Sequence, residues 1–205
     1  MKIVARPTRY AGTQFRSRLE ARWAAFFDLA GWRWEYEPVD GEGWVPDFFL
    51  IGAAGPIPVE VKPIQWPTFD SRSLDVMSKS SAAFDSLVLN GEELAKVREA
   101  RVPETLILGA YPFEYPGPYA KDTLGVLLST EVTLHGQPYQ RRDMAALYRG
   151  AKHRCDFSAS DGAWFCRIGG EVGKYALEPL DPGETDALWR EAGNRVQWKG
   201  AGRHG

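Results

Sequence analysis

Apolar residues recur at helical spacing between Gln14 and Ala30. At about 100° per residue, Phe15, Leu19, Trp23, Phe26 and Ala30 fall within one arc, with Phe27 at its edge. Thr13 suits the N-cap of this helix and Gly31 its end. Trp32 to Glu37 then alternates in the manner of a strand and stops at Pro38. Two further strands are expected, from Trp44 to Ile51 and from Ile57 to Lys62, giving an antiparallel meander.

Residues 63–90 break this rhythm, with a weakly patterned helix over Ser73–Leu87. A helix from Gly91 to Arg101 followed by the apolar run Thr105–Leu108 suggests a crossover and some parallel pairing. Three prolines mark Tyr111–Tyr119 as loop, and Leu124–Ser129 reads as a strand. Tyr139 to Arg154 is expected to be helical, with Met144, Leu147, Tyr148 and Ala151 on one side. A hairpin around Gly169-Gly170-Glu171, joining Ala163–Ile168 to Val172–Leu177, and a helix from Glu184 to Val196 complete the pattern, with residues 200–205 a frayed tail. The expectation is an α/β chain with a central mixed β-sheet flanked by helices. Its core would span residues 1–135, with an insertion at about 63–90. Residues 136–205 would form a helix–hairpin–helix extension packed on that core.

Composition adds exclusions. The chain has 205 residues, 44% hydrophobic and 25% charged, in the range of ordinary globular domains and unlike disordered or collagenous chains. No apolar run reaches the roughly 18 residues of a spanning helix, and no apolar signal-peptide core follows Met1. Two cysteines are too few for a disulfide framework, so a cytoplasmic location with no membrane partner is expected. The net charge of −2 argues against a nucleic-acid partner until it is divided by segment. Residues 1–36 carry +4 and residues 141–156 carry +3, against −9 elsewhere. A polyanion responds to the local field, although solvated helix faces would give the same segment charges.

The candidate chemistry lies in Glu20, Asp47, Glu60 and Lys62. Glu60 and Lys62 are two apart in one strand and share a face, while Ile57, Val59 and Val61 take the other. Charges in a core strand are costly unless they are paired or bind a metal. Asp47 sits in the neighbouring strand within Val45-Pro46-Asp47-Phe48-Phe49, again among apolar residues. Carboxylates on adjacent strands can hold a hard cation such as Mg²⁺, and a lysine beside them can orient an attacking water. Glu20 lies at the border of the buried helix face, within reach of the sheet.

The order of helix with Glu, strand, strand with Pro46-Asp47, then strand with Glu60-Val61-Lys62 twelve residues on resembles the PD-(D/E)XK nuclease superfamily. The helix text Phe15-Arg16-Ser17-Arg18-Leu19-Glu20-Ala21-Arg22-Trp23 and the following Glu35-Tyr36-Glu37-Pro38 look like small nucleases of phage and mobile elements. The likeness covers residues 10–63 well and 91–130 loosely. It implies a restriction-endonuclease-like core and an Mg²⁺-dependent deoxyribonuclease, with Mn²⁺ able to substitute. It further implies products with 5′-phosphate ends and relatives that often act as homodimers. Carried over, Asp47, Glu60 and the Val61 carbonyl are metal ligands, Lys62 is the catalytic lysine, and Glu20 acts through a water or a second metal. The segment 63–90 departs from the family's usual spacing.

Other readings of the same residues stand beside these. Ser17-x-x-Glu20 also spells a capping box, and Glu60 with Lys62 could be a surface pair. Arg16, Arg18 and Arg22 are candidate nucleic-acid contacts or snorkelling side chains, and Trp66 is a candidate base-stacking residue. Tyr148, Arg149 and Lys152 read as a solvated face rather than a phosphate track. His153, Cys155 and Cys166 lack a fourth ligand at zinc spacing and read as two small hydrophobes and a surface histidine. The alternative function is a catalytically silent nuclease-fold module that binds nucleic acid or a partner protein.

Overall fold

In a computed structural model of the chain, the described residues are 6–38, 45–68, 104–115, 121–132, 138–160, 165–170 and 177–197. The helices expected over Ser73–Leu87 and Gly91–Arg101, most of the 63–90 insertion and the tail lie outside them, as does the second arm of the 163–177 hairpin.

The chain opens with a short hairpin, β1 (Thr8–Tyr10) and β2 (Thr13–Phe15). Ala11 and Gly12 both take positive φ, 46° and 87°, the two-residue turn whose twist suits a hairpin. This corrects the expected helix start. Helix α1 runs over Arg18–Ala30, capped by Ser17 rather than Thr13. The Ser17 hydroxyl accepts from the Glu20 N–H at 3.1 Å and donates to Glu20 Oε1 at 2.7 Å, so a capping interaction is present. Gly31, at φ 81°, ends the helix as expected.

Seven strands follow in one mixed sheet: β3 (Trp34–Tyr36), β4 (Phe48–Gly52), β5 (Gly55–Val61), β6 (Glu104–Tyr115), β7 (Lys121–Val132), β8 (Pro138–Arg149) and β9 (Cys155–Ala159). They lie side by side in chain order, all antiparallel except β5 and β6, which are parallel. The expected meander and the parallel pairing are both present. Helix α2 (Glu184–Arg195) packs on α1, with Trp23 and Trp189 ring centroids 4.6 Å apart. The molecule is thus an α/β fold with a mixed seven-stranded sheet and few helices among the described residues.

Three expectations fail here. Tyr139–Arg154 is not helical: most of it is β8, with β9 beyond, so residues on both sides of position 135 belong to one sheet. Ala145, Ala146, Leu147 and Tyr148 are all buried, so this strand shows no alternation to read. Residues 111–115 are strand rather than loop, because β6 continues past Pro112 beyond a bulge. Residues 166–170 form a turn instead of the end of a hairpin strand.

Apolar side chains cover both sheet faces. One cluster joins the α1 face to Phe48, Leu50, Val59, Val61, Leu106 and Leu108. A smaller one on the other face gathers Ile64, Trp66, Ile107, Phe113, Val126 and Leu128. The sheet curls far enough that the turn after β9 meets the β4–β5 turn, where the Ala53 N–H donates to the Arg167 carbonyl at 3.0 Å.

Candidate functional site

The site lies where β4 begins and β5 ends. Phe48 pairs with Val59, and one more step of the same antiparallel register sets Asp47 opposite Glu60. Both carboxylates are buried, at 3% and 6% exposure. Lys62, on the same face of the strand as Glu60, ion-pairs with Glu60 Oε1. Asp47 Oδ2 accepts from the Val61 N–H at 2.7 Å, and Oδ1 accepts from Arg16 Nη2 at 2.5 Å. Glu60 Oε2 is buried and, among the described residues, has no hydrogen-bond partner. A buried carboxylate oxygen without a donor is unfavourable by a few kcal/mol unless something positive approaches it.

Glu20 approaches from α1. Its Oε2 accepts from the Tyr36 hydroxyl at 2.6 Å, and that oxygen in turn accepts from the Arg16 N–H at 3.1 Å. Burial, then the Glu20 carboxylate, pushes the Tyr36 phenol up to about 12, so it remains a donor. Arg16 also bridges to Glu37 at 2.8 Å. Ser17, Glu20, Tyr36, Arg16 and Asp47 thus form one polar chain from helix cap to strand. Asp47, Glu60 and Lys62 lie side by side, and Glu20, committed to Ser17 and Tyr36, is linked to them only through Tyr36 and Arg16. Among the described residues, no three His, Cys, Asp or Glu side chains converge tightly enough to hold a metal by themselves. Two facing carboxylates, Asp47 and Glu60, are a number that would fit Mg²⁺, an ion that uses one or two protein carboxylates and keeps several waters. The orphaned Glu60 oxygen fits such a cation.

Burial, and next the negative charge of Glu60, lift the Asp47 carboxyl to about 7, against the Val61 N–H and Lys62, with Glu20 adding to the rise. An unfolded aspartate titrates near about 3.9. Because the folded value is the higher one, this group's contribution to stability is complete below about pH 4 and is lost as pH rises to about 7. The melting temperature of the metal-free protein, relative to that of Asp47→Asn, should fall across that window. Added Mg²⁺ should recover it at pH 8. A difference that stays flat with pH contradicts the assignment.

Arg16 is 60% exposed along its length, yet its tip reaches the buried Asp47. Arg22 is not at the site. Its Nε and Nη2 donate to the Trp189 carbonyl at 3.1 and 2.7 Å, and its guanidinium lies 3.9 Å from the Trp189 ring centroid. Its expected nucleic-acid role is therefore replaced by a helix–helix contact. Arg22→Ala should lower unfolding free energy by about 2 kcal/mol, read by urea denaturation, and leave the salt dependence of any DNA binding unchanged. Trp66 is corrected as well: at 2% exposure, packed over Gly109, it offers no face to a base. The segment after Lys62 is tied to β6 instead, with Lys62 N–H donating to Leu108 O and Ala110 N–H to Ile64 O.

Cys155 and Cys166 are both buried. Burial, helped by Asp156 and Glu184, pushes the Cys155 thiol up to about 12. Sequence reasoning missed Tyr36 as a site residue. Its signal was the one-step register between β3 and β4, which places it beside Phe48 and hence next to Asp47. No helix among the described residues is long and apolar enough to cross a membrane. Comparison of the chain with protein-family models, curated proteins and solved structures finds no match.

Proposed function

We propose that the protein is a divalent-metal-dependent nuclease that hydrolyses phosphodiester bonds of DNA. The observation that carries this reading is the buried, unpartnered Glu60 oxygen beside Asp47, with Lys62 on the same carboxylate. Asp47 and Glu60 would hold the cation, which when bound supplies Lewis-acid stabilisation of phosphate charge. The Lys62 ammonium, half-buried at the strand end, is placed to orient a water and to offset the extra negative charge of a five-coordinate phosphorus. The Val61 N–H fixes the Asp47 rotamer. Glu20 acts as a positioning residue: through Tyr36 it holds the backbone of Arg16, whose guanidinium faces Asp47. The restriction-endonuclease-like character of the core belongs to this same reading. It rests on Pro46-Asp47 leading into β4 and Glu60-Val61-Lys62 closing β5, its antiparallel neighbour.

The test is incubation with supercoiled, linear, single-stranded and branched DNA in Mg²⁺ or Mn²⁺, with EDTA, Asp47→Ala and Lys62→Ala as controls. Cleavage that needs the metal and is lost in both variants is the expected result. No cleavage of any substrate, or equal cleavage by the variants, defeats it. One observation favours the silent-module reading. Both Asp47 oxygens already have partners, and Lys62 already neutralises Glu60. Metal-independent DNA binding without cleavage would select that reading.

A further inference from the structure

A second, strongly basic feature lies beside α1. A groove of about 440 Å³ runs between the start of the chain and the end of α2, lined by Arg6, Thr8, Arg9, Arg18, Val196 and Gln197. Three of these are arginines, and among the described residues no acid lines the groove. Arg6, Arg9 and Arg18 are exposed. Among the described residues, none of the three guanidiniums makes an ion pair or hydrogen bond. That contrasts with Arg16, Arg22, Arg149, Arg154, Arg167 and Arg195, each committed to a carboxylate or a carbonyl. Like charges collected in one concavity without counter-charge repel one another, and an anion relieves that repulsion.

The scaffold holds the three in place. Arg9 sits in β1, opposite Gln14 of β2, and the β1–β2 turn is only two residues long. Arg18 is the first residue of α1, at the positive end of the helix. Neighbouring acids are already taken: Asp28 accepts from Tyr10 and Trp34, and Glu191 from Arg195. Arg18 is two residues beyond Arg16, so their Cα atoms are at most about 7 Å apart. The groove therefore begins next to the arginine that reaches Asp47.

We infer that this groove binds the phosphate backbone of a nucleic-acid strand and leads it to the carboxylate site. The choice of ligand rests on the nuclease reading above. A run of spaced guanidiniums suits a polymer with regularly spaced anions, because each neutralised phosphate releases a counterion. Arg18 contributes at the end nearest the carboxylates, and Arg6 and Arg9 extend the contact along the strand.

The test measures binding without turnover. Fluorescence anisotropy of labelled single-stranded and duplex oligonucleotides, in EDTA across a salt series, compares wild type with Arg6→Ala/Arg9→Ala, Arg18→Ala and the triple variant. Arg142→Ala, an exposed arginine on β8, serves as control. For duplex, each lost phosphate contact should flatten the log K against log salt slope by about 0.9. The triple variant should bind on the order of 10- to 100-fold more weakly. Arg142→Ala should match wild type. A triple variant with wild-type affinity and slope overturns the inference. So does polyglutamate competing as well as DNA at equal charge, since the groove would then fit an acidic polypeptide. Far-ultraviolet circular dichroism and melting temperature establish that the variants are folded. The two readings fail separately: variant-sensitive binding with no cleavage removes only the nuclease, and cleavage with an unaltered KM and salt slope removes only the groove.

Discussion

Glu60→Gln should abolish metal-dependent cleavage, by about 10³-fold or more, while raising the melting temperature of the metal-free protein at pH 8. The two effects have one cause. Glu60 supplies part of the negative charge that keeps the Asp47 carboxyl well above its ordinary range, and one of its own oxygens is buried without a donor. Glutamine keeps the size and an acceptor oxygen for Lys62, but removes the like charge. Folding then no longer brings two carboxylates together, and stability at high pH rises. The same neutralisation removes half of the donor set for a hard cation and the partner that holds the Lys62 ammonium. Added Mg²⁺ should accordingly raise the melting temperature of wild type and leave that of Glu60→Gln unmoved. A variant that is less stable than wild type in EDTA, or that still cuts, contradicts this account of the site.

Asp156→Ala should destabilise the fold by about 3 kcal/mol and spare cleavage per folded molecule. Asp156 is fully buried in β9. Its carboxylate accepts from the N–H groups of Phe157 at 2.7 Å, Ile168 at 2.9 Å and Gly169 at 2.6 Å, and so shapes the turn that follows β9. In that turn, Arg167 grips Glu104 of β6 through two bonds of 2.6 and 2.8 Å, and its carbonyl accepts from Ala53. Alanine leaves buried N–H groups unpaired, at roughly 1–3 kcal/mol each before relaxation. Asparagine keeps one acceptor and should fall between. The turn meets β4–β5 at Gly52–Gly55, five residues or about 17 Å along the strand from Glu60. Urea denaturation measures the loss, and activity normalised to folded protein measures the sparing.

The candidate site was legible because it is written in short-range geometry. Glu60 and Lys62 share a face through the two-residue period of a strand, and Asp47 reaches them across one hairpin. The interior of the sheet was not legible for a physical reason. Ala145 to Tyr148 are buried on both faces of a central strand, which erases alternation and leaves apolar residues at helix-like intervals. Cys155–Ala159 is entirely buried, with Asp156 and Ser158 inside, and its polarity hid a core strand. The start of α1 was misplaced because Phe15 fits the helical arc, although its ring packs from a hairpin against Tyr36 at 4.5 Å. The uses of Arg22 and Trp66 depend on Trp189 and Gly109, partners distant in the chain that spacing does not expose.

The single parallel pairing, β5 with β6, has a consequence for how the molecule forms. Every other strand pair of the sheet joins neighbours in an antiparallel meander. Such contacts close short loops and can assemble early, whereas the β5–β6 seam matches Val59 with Leu106 and must await a long loop closure. Asp47 and Glu60 both belong to the first meander, on the near side of that seam. Across it Glu60 lies opposite Ile107, and the Lys62 N–H donates to the Leu108 carbonyl. The facing of Asp47 and Glu60 can thus take shape with a local hairpin, while the β6 side, which lies against Glu60 and Lys62, is set only when the two halves of the sheet have joined.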